Sequence, residues 1–365
     1  MRKKIDRPFL IITLLLVAFG FLIFVSASLG LLIKSGSQFE SVALKQFIFG
    51  LVCGGIALFT LSRVHYSYLK KFSLYFFIIA FILTALVFVP HIGFEHGGAR
   101  RWLSLGPFTF QPSELLRLAF VIYFAAWLSM VKDKVKTFRF GLLPLGILTG
   151  ISGVLLLLQP DTDTFLTLVL AGLAMFIVAG GRFRDVAFLS ALGIAGAALL
   201  VFTRPYLKER LLAFLDLGQV DYYGAGYQVY QSLIAIGSGG FFGRGFGQSV
   251  QKFGYLPEPI GDSIFAVAAE EFGFIGASFL IILFVFFALR ALRIATRAPD
   301  NFGLLLSVGI VILIISQSFI NIASMLALFP LSGTPLVFVS KGGTSLLLSL
   351  AEVGILLNIS RYQRV

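Results

Sequence analysis

The segment YLPEPIGDSIFAVAAEEFGFIG, residues 255–276, decides how this chain is read. A turn-rich run with Pro257, Pro259 and Gly261 passes directly into a long apolar stretch, with Asp262 at its mouth and Glu270 and Glu271 further in. Charged side chains are costly inside hydrocarbon, so three carboxylates at the head of a membrane helix mark a functional place by default. Whether the stretch is such a helix depends on the rest of the chain.

The 365 residues are 58% hydrophobic and only 13% charged, where an ordinary soluble domain carries roughly a quarter charged residues. So few polar groups cannot cover a water-facing surface of this size, and the bilayer is the main solvent. The 41 phenylalanines suit lipid-facing helices. The net charge of +12 raises nucleic acid as a partner, but no basic block is dense enough for a binding arm, so none is expected. One cysteine, Cys53, lies in an apolar run and excludes a disulfide framework or a thiolate metal cluster.

Apolar stretches recur at 8–33, 42–62, 71–90, 113–131, 141–159, 163–180, 184–203, 262–289, 302–328 and 342–360, each near or above the ~17–20 residues that span hydrocarbon as a helix. The first follows Arg2, Lys3 and Lys4 like a signal peptide, but its apolar core is too long for one and it is read as a retained anchor. With the N-terminus inside, 18 of the 29 basic residues fall in inner segments, including Arg63, Lys70, Lys132, Arg139, Arg290 and Arg364. Ten fall outside, among them Lys34, Arg210 and Lys252, and Arg117 lies within a span. The bias favours both termini in the cytoplasm. The expected fold is an all-α integral membrane protein of about ten transmembrane helices, one polytopic domain over 1–365. Its external loops are 91–112 and 204–261, the second a large extracellular loop between helices 7 and 8 forming an ordered layer at the membrane surface.

In QPSELLRLAF the fourth span opens with Glu114 and Arg117, whose i,i+3 spacing puts them on one helix face, either as a structural ion pair or as site residues. Spans four and eight both begin at the outer surface, so Glu114, Arg117 and Asp262 are expected at similar depth. Glu270 lies about 12 Å deeper at 1.5 Å per residue, and Glu270 and Glu271 are expected to support interior polar groups. Asp262 is read either as the N-cap of its helix or as a reactive carboxylate. The run GSGGFFGRGFG (237–247), with Arg244 inside it, lacks the flanking strand and helix of a dinucleotide fingerprint, and no nucleotide is expected. SKGGTS (340–345) opens the last span, where Ser340, Lys341 and Gly342 present either an anion site or a simple helix start. His65, His91 and His96 make no metal set, and no Ser-His-Asp arrangement stands out.

GARRWL (98–103), QPSELLR (111–117), QPDTDT (159–164), the run 226–276, FPLSGTPLVFVSKGGTS (329–345) and GILLNISR (354–361) together resemble the SEDS family (shape, elongation, division and sporulation), which includes RodA and FtsW. The resemblance covers nearly the whole chain, and QSVQKFGYLPE looks nearer the division branch. It implies a multi-pass protein of the bacterial cytoplasmic membrane that polymerises lipid II into peptidoglycan on the outer face. The implied partners are a class B penicillin-binding protein and other divisome or elongasome membrane proteins. Asp262 matches the family's essential aspartate, and Glu114 and Arg117 its acidic and basic positions on the fourth helix. Three departures stand out: Ile260-Gly261 replaces a usual His-Thr, Arg117 a usual Lys, and Lys341 a usual Tyr.

The implied reaction passes a growing glycan from undecaprenyl diphosphate to the GlcNAc 4-OH of another lipid II, inverting at the sugar carbon. Asp262 is the expected general base or, alternatively, a ligand for Mg²⁺ or Mn²⁺. Arg100, Arg101, Arg117, Arg244 and Lys341 are the expected diphosphate partners. A helix N-terminus and a nearby arginine are expected to hold the Asp262 carboxyl low, which weakens it as a base. A lipid II flippase is the second reading and a non-catalytic scaffold the third.

Overall fold

The computed structural model describes residues 5–33, 36–96, 99–105, 108–215 and 224–363. Arg2, Lys3, Lys4, Lys34 and Arg364 from the charge count, Gly98 of GARRWL and part of the 204–261 loop lie outside the described residues.

Helices dominate: α1 Arg7–Ser28, α2 Gly36–Lys45, α3 Gly54–Leu61, α4 Ser67–Lys71, α5 Ser73–Ala85, α6 Pro112–Val131, α7 Leu143–Leu158, α8 Thr162–Val178, α9 Phe183–Thr203, α10 Pro205–Leu215, α11 Ala225–Ser238, α12 Ile264–Thr296, α13 Asn301–Met325 and α14 Gly343–Ser360. Among the described residues, eight helical stretches are long and apolar enough to cross a bilayer. Two shorter apolar helices, Ser73–Phe88 and Thr162–Val178, fall on the remaining apolar runs of the sequence. The most buried of these elements, α6, α13 and α14, are where the polar side chains of the spans collect. At the opposite extreme, α9 buries no residue.

Two features depart from an all-α chain with plain loops. Residues 93–110 form a three-stranded antiparallel meander, β1 Gly93–His96, β2 Ala99–Leu105 and β3 Phe108–Phe110. Side chains alternate across a strand, so Arg101 shares a face with the buried Leu103 while Arg100 is exposed. In 204–261 the described residues form α10, α11 and a turn-rich run after α11.

That turn-rich run explains the glycine motif. α12 breaks at Gly273, which sits at φ 64°, a region open to glycine and costly to other residues. The backbone groups freed by the break are paired by the motif itself. Arg244 and Gly245 N–H donate to the Glu270 and Glu271 carbonyls (both 3.0 Å), and Phe274 and Ile275 N–H donate to Gly240 and Phe241 (2.9 and 3.2 Å). Non-helical backbone inside a span is tolerated only where protein satisfies it. A side chain on Gly243 would meet the Glu271 carbonyl at 2.1 Å, so the close approach requires glycine. At the far end of α12, Arg290 pairs with Asp6 at 2.9 Å, and Asp6 caps α1 through Phe9 N–H at 3.0 Å.

Candidate active site

Asp262 stands one residue before the N-cap of α12, which is Ser263. It is therefore not the cap, and the first of its two sequence readings falls away. Its backbone is fixed from outside the helix. The carbonyls of Ile260, Gly261 and Asp262 accept, in turn, Lys341 N–H at 2.7 Å, Ser340 Oγ–H at 2.7 Å and Asn321 Nδ2–H at 2.8 Å. Gln228 Nε2 donates to Ser263 Oγ at 2.9 Å. Ile260 is a core residue, 5% exposed, and anchors the turn by burial. With its main chain held on three successive carbonyls, Asp262 itself is only partly buried. Among the described residues no hydrogen bond or ion pair engages its carboxylate. Pinned backbone with a free carboxylate is the geometry of a reactive group.

Its surroundings come from QPDTDT and the segment before α14. Asp163 Oδ2 accepts Gly333 N–H at 2.9 Å and faces Arg210 Nη1 at 3.4 Å. A Cβ on Gly333 would lie 3.3 Å from Arg210 Nη2 and 3.8 Å from both Asp163 Oδ2 and Asp262 Oδ2, so these three groups converge on the glycine. Beside them, Arg101 donates to the carbonyls of Gln159 (3.2 Å) and Pro160 and lies 3.9 Å from Asp161, which accepts Ser113 Oγ–H at 3.0 Å. Burial pushes the Asp262 carboxyl up to about 7, and the charges of Glu258 and Asp163 add to the rise. Arg210 and Arg101 pull the other way and are outweighed. The expectation of a depressed, weakly basic Asp262 is thus overturned: desolvation dominates the helix terminus and the cations.

Glu114 and Arg117, 4% and 6% exposed, occupy a second, buried pocket. Arg117 donates to Gln317 Oε1 on α13, and no direct ion pair joins it to Glu114 among the described residues. Glu114 Oε2 and Arg117 Nε are buried without a partner, and Glu352 of α14, 2% exposed, lies within electrostatic reach of both side chains. Asp262 and the Glu114–Arg117 pair, expected at one level, have different neighbours: Glu258, Asp163, Arg210 and Arg101 are the charges that act on Asp262. The two pockets adjoin through the first turn of α6, where Ser113 reaches Asp161 and Glu114 follows it.

The other sequence candidates disperse. Arg244 faces Glu270 at 3.5 Å, away from Asp262. Ser340 Oγ is spent on Gly261, and Gly342 N–H donates to Gln46 Oε1 at 3.0 Å, so neither offers a free donor for an anion. Lys341 is exposed and tied to the site by its backbone, and Arg100 is exposed on the far face of β2. Among the described residues, no group of three or more His, Cys, Asp or Glu is arranged to hold a metal. Sequence reasoning did not single out Asp161, Asp163, Arg210, Asn321, Gln317 or Glu352. Only the first two carried a signal, as acids two apart in a polar break between apolar runs.

The family described as "Cell cycle protein", FtsW–RodA–SpoVE, matches residues 6–365. The chain is 40% identical over 363 residues to stage V sporulation protein E of Bacillus subtilis (strain 168), covering 98% of each. It is 38% identical over 359 residues to a probable peptidoglycan glycosyltransferase FtsW of Geobacter sp. (strain M18), covering 98% of this chain and 97% of the relative. Among solved structures, a chain from work on "structural coordination of polymerization and crosslinking by a peptidoglycan synthase complex" superposes with a TM-score of 0.81 at 27% identity, over 99% of each chain. The rod shape determining protein RodA of Thermus thermophilus superposes with a TM-score of 0.71 at 26% identity, over 99% of this chain and 98% of that one.

Proposed function

The chain belongs to the FtsW–RodA–SpoVE family, and from that premise we propose that the Asp262 end of the bundle polymerises lipid II. The protein is a multi-pass bacterial inner-membrane peptidoglycan glycosyltransferase. The observation that carries the assignment to this end is Asp262: backbone held by three donors, carboxylate unengaged among the described residues, pKa raised to about 7. A general base works best with a pKa near the operating pH. The excess of basic residues in the opposite segments favours an outer position for this end, the side on which lipid II is polymerised in this reading.

In the step itself, Asp262 takes the proton of the acceptor 4-OH as that oxygen bonds to the anomeric carbon of the donor. The bond from that carbon to the diphosphate breaks, and the electron pair leaves with the diphosphate. Attack opposite the leaving group inverts the anomeric centre. Arg101 is the one sequence-derived cation within electrostatic reach of Asp262, and it lowers the cost of the departing charge. Asp262 and Asp163 also fit a second reading, since a divalent cation is commonly held by one or two carboxylates together with substrate phosphates. When bound, such an ion would neutralise the diphosphate. A crosslinking partner, a class B penicillin-binding protein, accords with the synthase complex in which a solved relative works.

The test is glycan-chain formation from labelled lipid II by the purified protein with its crosslinking partner. Asp262→Ala and Asp262→Asn are expected to fold and to lose polymerisation by about 10³-fold, and full activity of either overturns the assignment. Repeating the wild-type assay with a chelator separates the readings. Unchanged rates favour the base alone; loss restored by Mg²⁺ or Mn²⁺ favours the metal.

A further inference from the structure

Arg210 stands out because α10, which carries it, buries no residue, yet its guanidinium points inward and is 23% exposed. Two contacts aim it. Tyr206, one turn earlier, lies under the guanidinium with its ring centroid 5.8 Å away, and Asp163 faces Nη1 at 3.4 Å. The far nitrogen, Nη2, comes 3.3 Å from the point where residue 333 would carry a side chain, and the Asp262 carboxylate lies 3.8 Å from that same point. Because residue 333 is glycine, no side chain of its own stands between this cation and Asp262.

Four other cations near this end or along α12 have partners, and Lys341 is exposed. Arg101 serves two backbone carbonyls and Asp161, Arg117 serves Gln317, Arg244 serves Glu270, and Lys252 serves Glu271. Arg210 has five N–H groups to give, and among the described residues it gives one long hydrogen bond to one carboxylate. Asp163 does not depend on it, since Gly333 N–H also serves the same oxygen at the shorter distance of 2.9 Å. An incoming group with paired anionic oxygens competes well for such a guanidinium, which matches phosphate in a two-pronged geometry.

We propose that Arg210 is a catalytic residue of the glycosyl transfer, taking the diphosphate of the donor lipid, and that Asp163 is the positioning residue that holds it beside Asp262 until that diphosphate arrives. This rests on the reading of the Asp262 end as the polymerisation site. Donor binding then exchanges the Asp163 contact for the diphosphate, and the guanidinium stays bound to the leaving group while the glycosidic bond breaks. Asp163 is left with Gly333 N–H and keeps the loop before α14 in place.

The experiment uses the full chain with its crosslinking partner, labelled lipid II as substrate and undecaprenyl diphosphate as inhibitor. Arg210→Gln is expected to lower kcat/KM about 100-fold, as removal of one transition-state donor does, and to weaken inhibition by undecaprenyl diphosphate about tenfold. Arg210→Lys, which keeps the charge and loses the fork, should recover part of the rate, and it carries the test if the glutamine variant fails to fold. Asp163→Asn should bind undecaprenyl diphosphate as tightly as wild type or more so, while kcat falls. Rates within twofold of wild type for Arg210→Gln, or inhibition unchanged in both Arg210 variants, overturn the proposal. A wild-type protein that makes no polymer would instead sink the reading of the site itself.

Discussion

Eight residues separate Asp262 from Glu270, yet the two carboxylates live under opposite conditions. Glu270 accepts Ser249 Oγ–H at 2.5 Å, Val250 N–H at 3.1 Å and Gln251 N–H at 3.3 Å, and faces Arg244. Glu271 beside it pairs with Lys252 Nζ at 2.6 Å, and the same ammonium donates to Ser26 Oγ and to the Gly247 carbonyl. This cluster is closed: it ties α1, the glycine motif and the break in α12 into one unit. Asp262 has its backbone held equally firmly, but among the described residues its carboxylate has no hydrogen-bond or ion-pair partner. A half-buried carboxylate on a fixed backbone, with no protein partner among the described residues, is open to an incoming group. The satisfied cluster holds the fold, and the unsatisfied carboxylate is the one with chemistry left to do.

The widest separation of the two follows from substituting each. Asp262→Asn removes the base and is expected to lower polymerisation by about 10³-fold, within the range of general-base catalysis. It leaves the fold intact and, at pH 8, raises the melting temperature, because the carboxylate is costly to ionise where it lies. Lys252→Met should do the reverse. Removing one partner of a buried pair costs roughly 3–5 kcal/mol, and Lys252 is 0% exposed, so thermal unfolding in detergent should fall sharply. Activity should fall only as the folded fraction does. A stable Lys252→Met protein, or an unstable Asp262→Asn one, breaks the distinction.

A pH series sharpens it further. With its pKa raised to about 7, Asp262 is mostly protonated at pH 6, and single-turnover polymerisation should rise about tenfold per pH unit up to about 7 and then level. The stability effect has the opposite sign. A carboxyl whose folded pKa lies above its ordinary 3.8 binds its proton more tightly when folded, so its contribution is present at low pH and lost as pH rises through about 7. The melting temperatures of wild type and Asp262→Asn should therefore converge towards pH 5 and separate towards pH 8. A rate flat across pH 5.5–8 would remove Asp262 from the role of base.

Much of this was legible in the sequence. Every apolar stretch fell on a helix because length and hydrophobicity alone define a span. Glu270 and Glu271 were read as interior support from their depth below Asp262, and the pairings of Arg244 and Lys252 with them lie close in sequence. Arg210 with Asp163 was not legible, since the two are 47 residues apart and meet only where the fold brings the Arg210 side chain to the first turn of α8. Nor was the break at Gly273, hidden inside an apolar run whose hydrophobicity says nothing of φ. The acidity of Asp262 was misjudged for the same kind of reason. The helix start and the cations show in the sequence, and the burial that outweighs them does not.

Ser340 gives the smallest effect and a fine test of where support ends and chemistry begins. The sequence offered it as a contact for the substrate's anion, whereas its Oγ donates to the Gly261 carbonyl at 2.7 Å and accepts Leu336 N–H at 2.8 Å. Ser340→Ala removes one of the three donors that fix residues 260–262, a loss of about 1 kcal/mol in a typical hydrogen bond. The backbone before Asp262 is then held at its two neighbours, by Lys341 N–H and Asn321, and loosens without collapsing. Polymerisation should slow a few-fold through kcat, with KM for lipid II and the pH profile unchanged, because the carboxylate's surroundings stay as they were. A rise in KM at constant kcat would return Ser340 to the substrate side of the site.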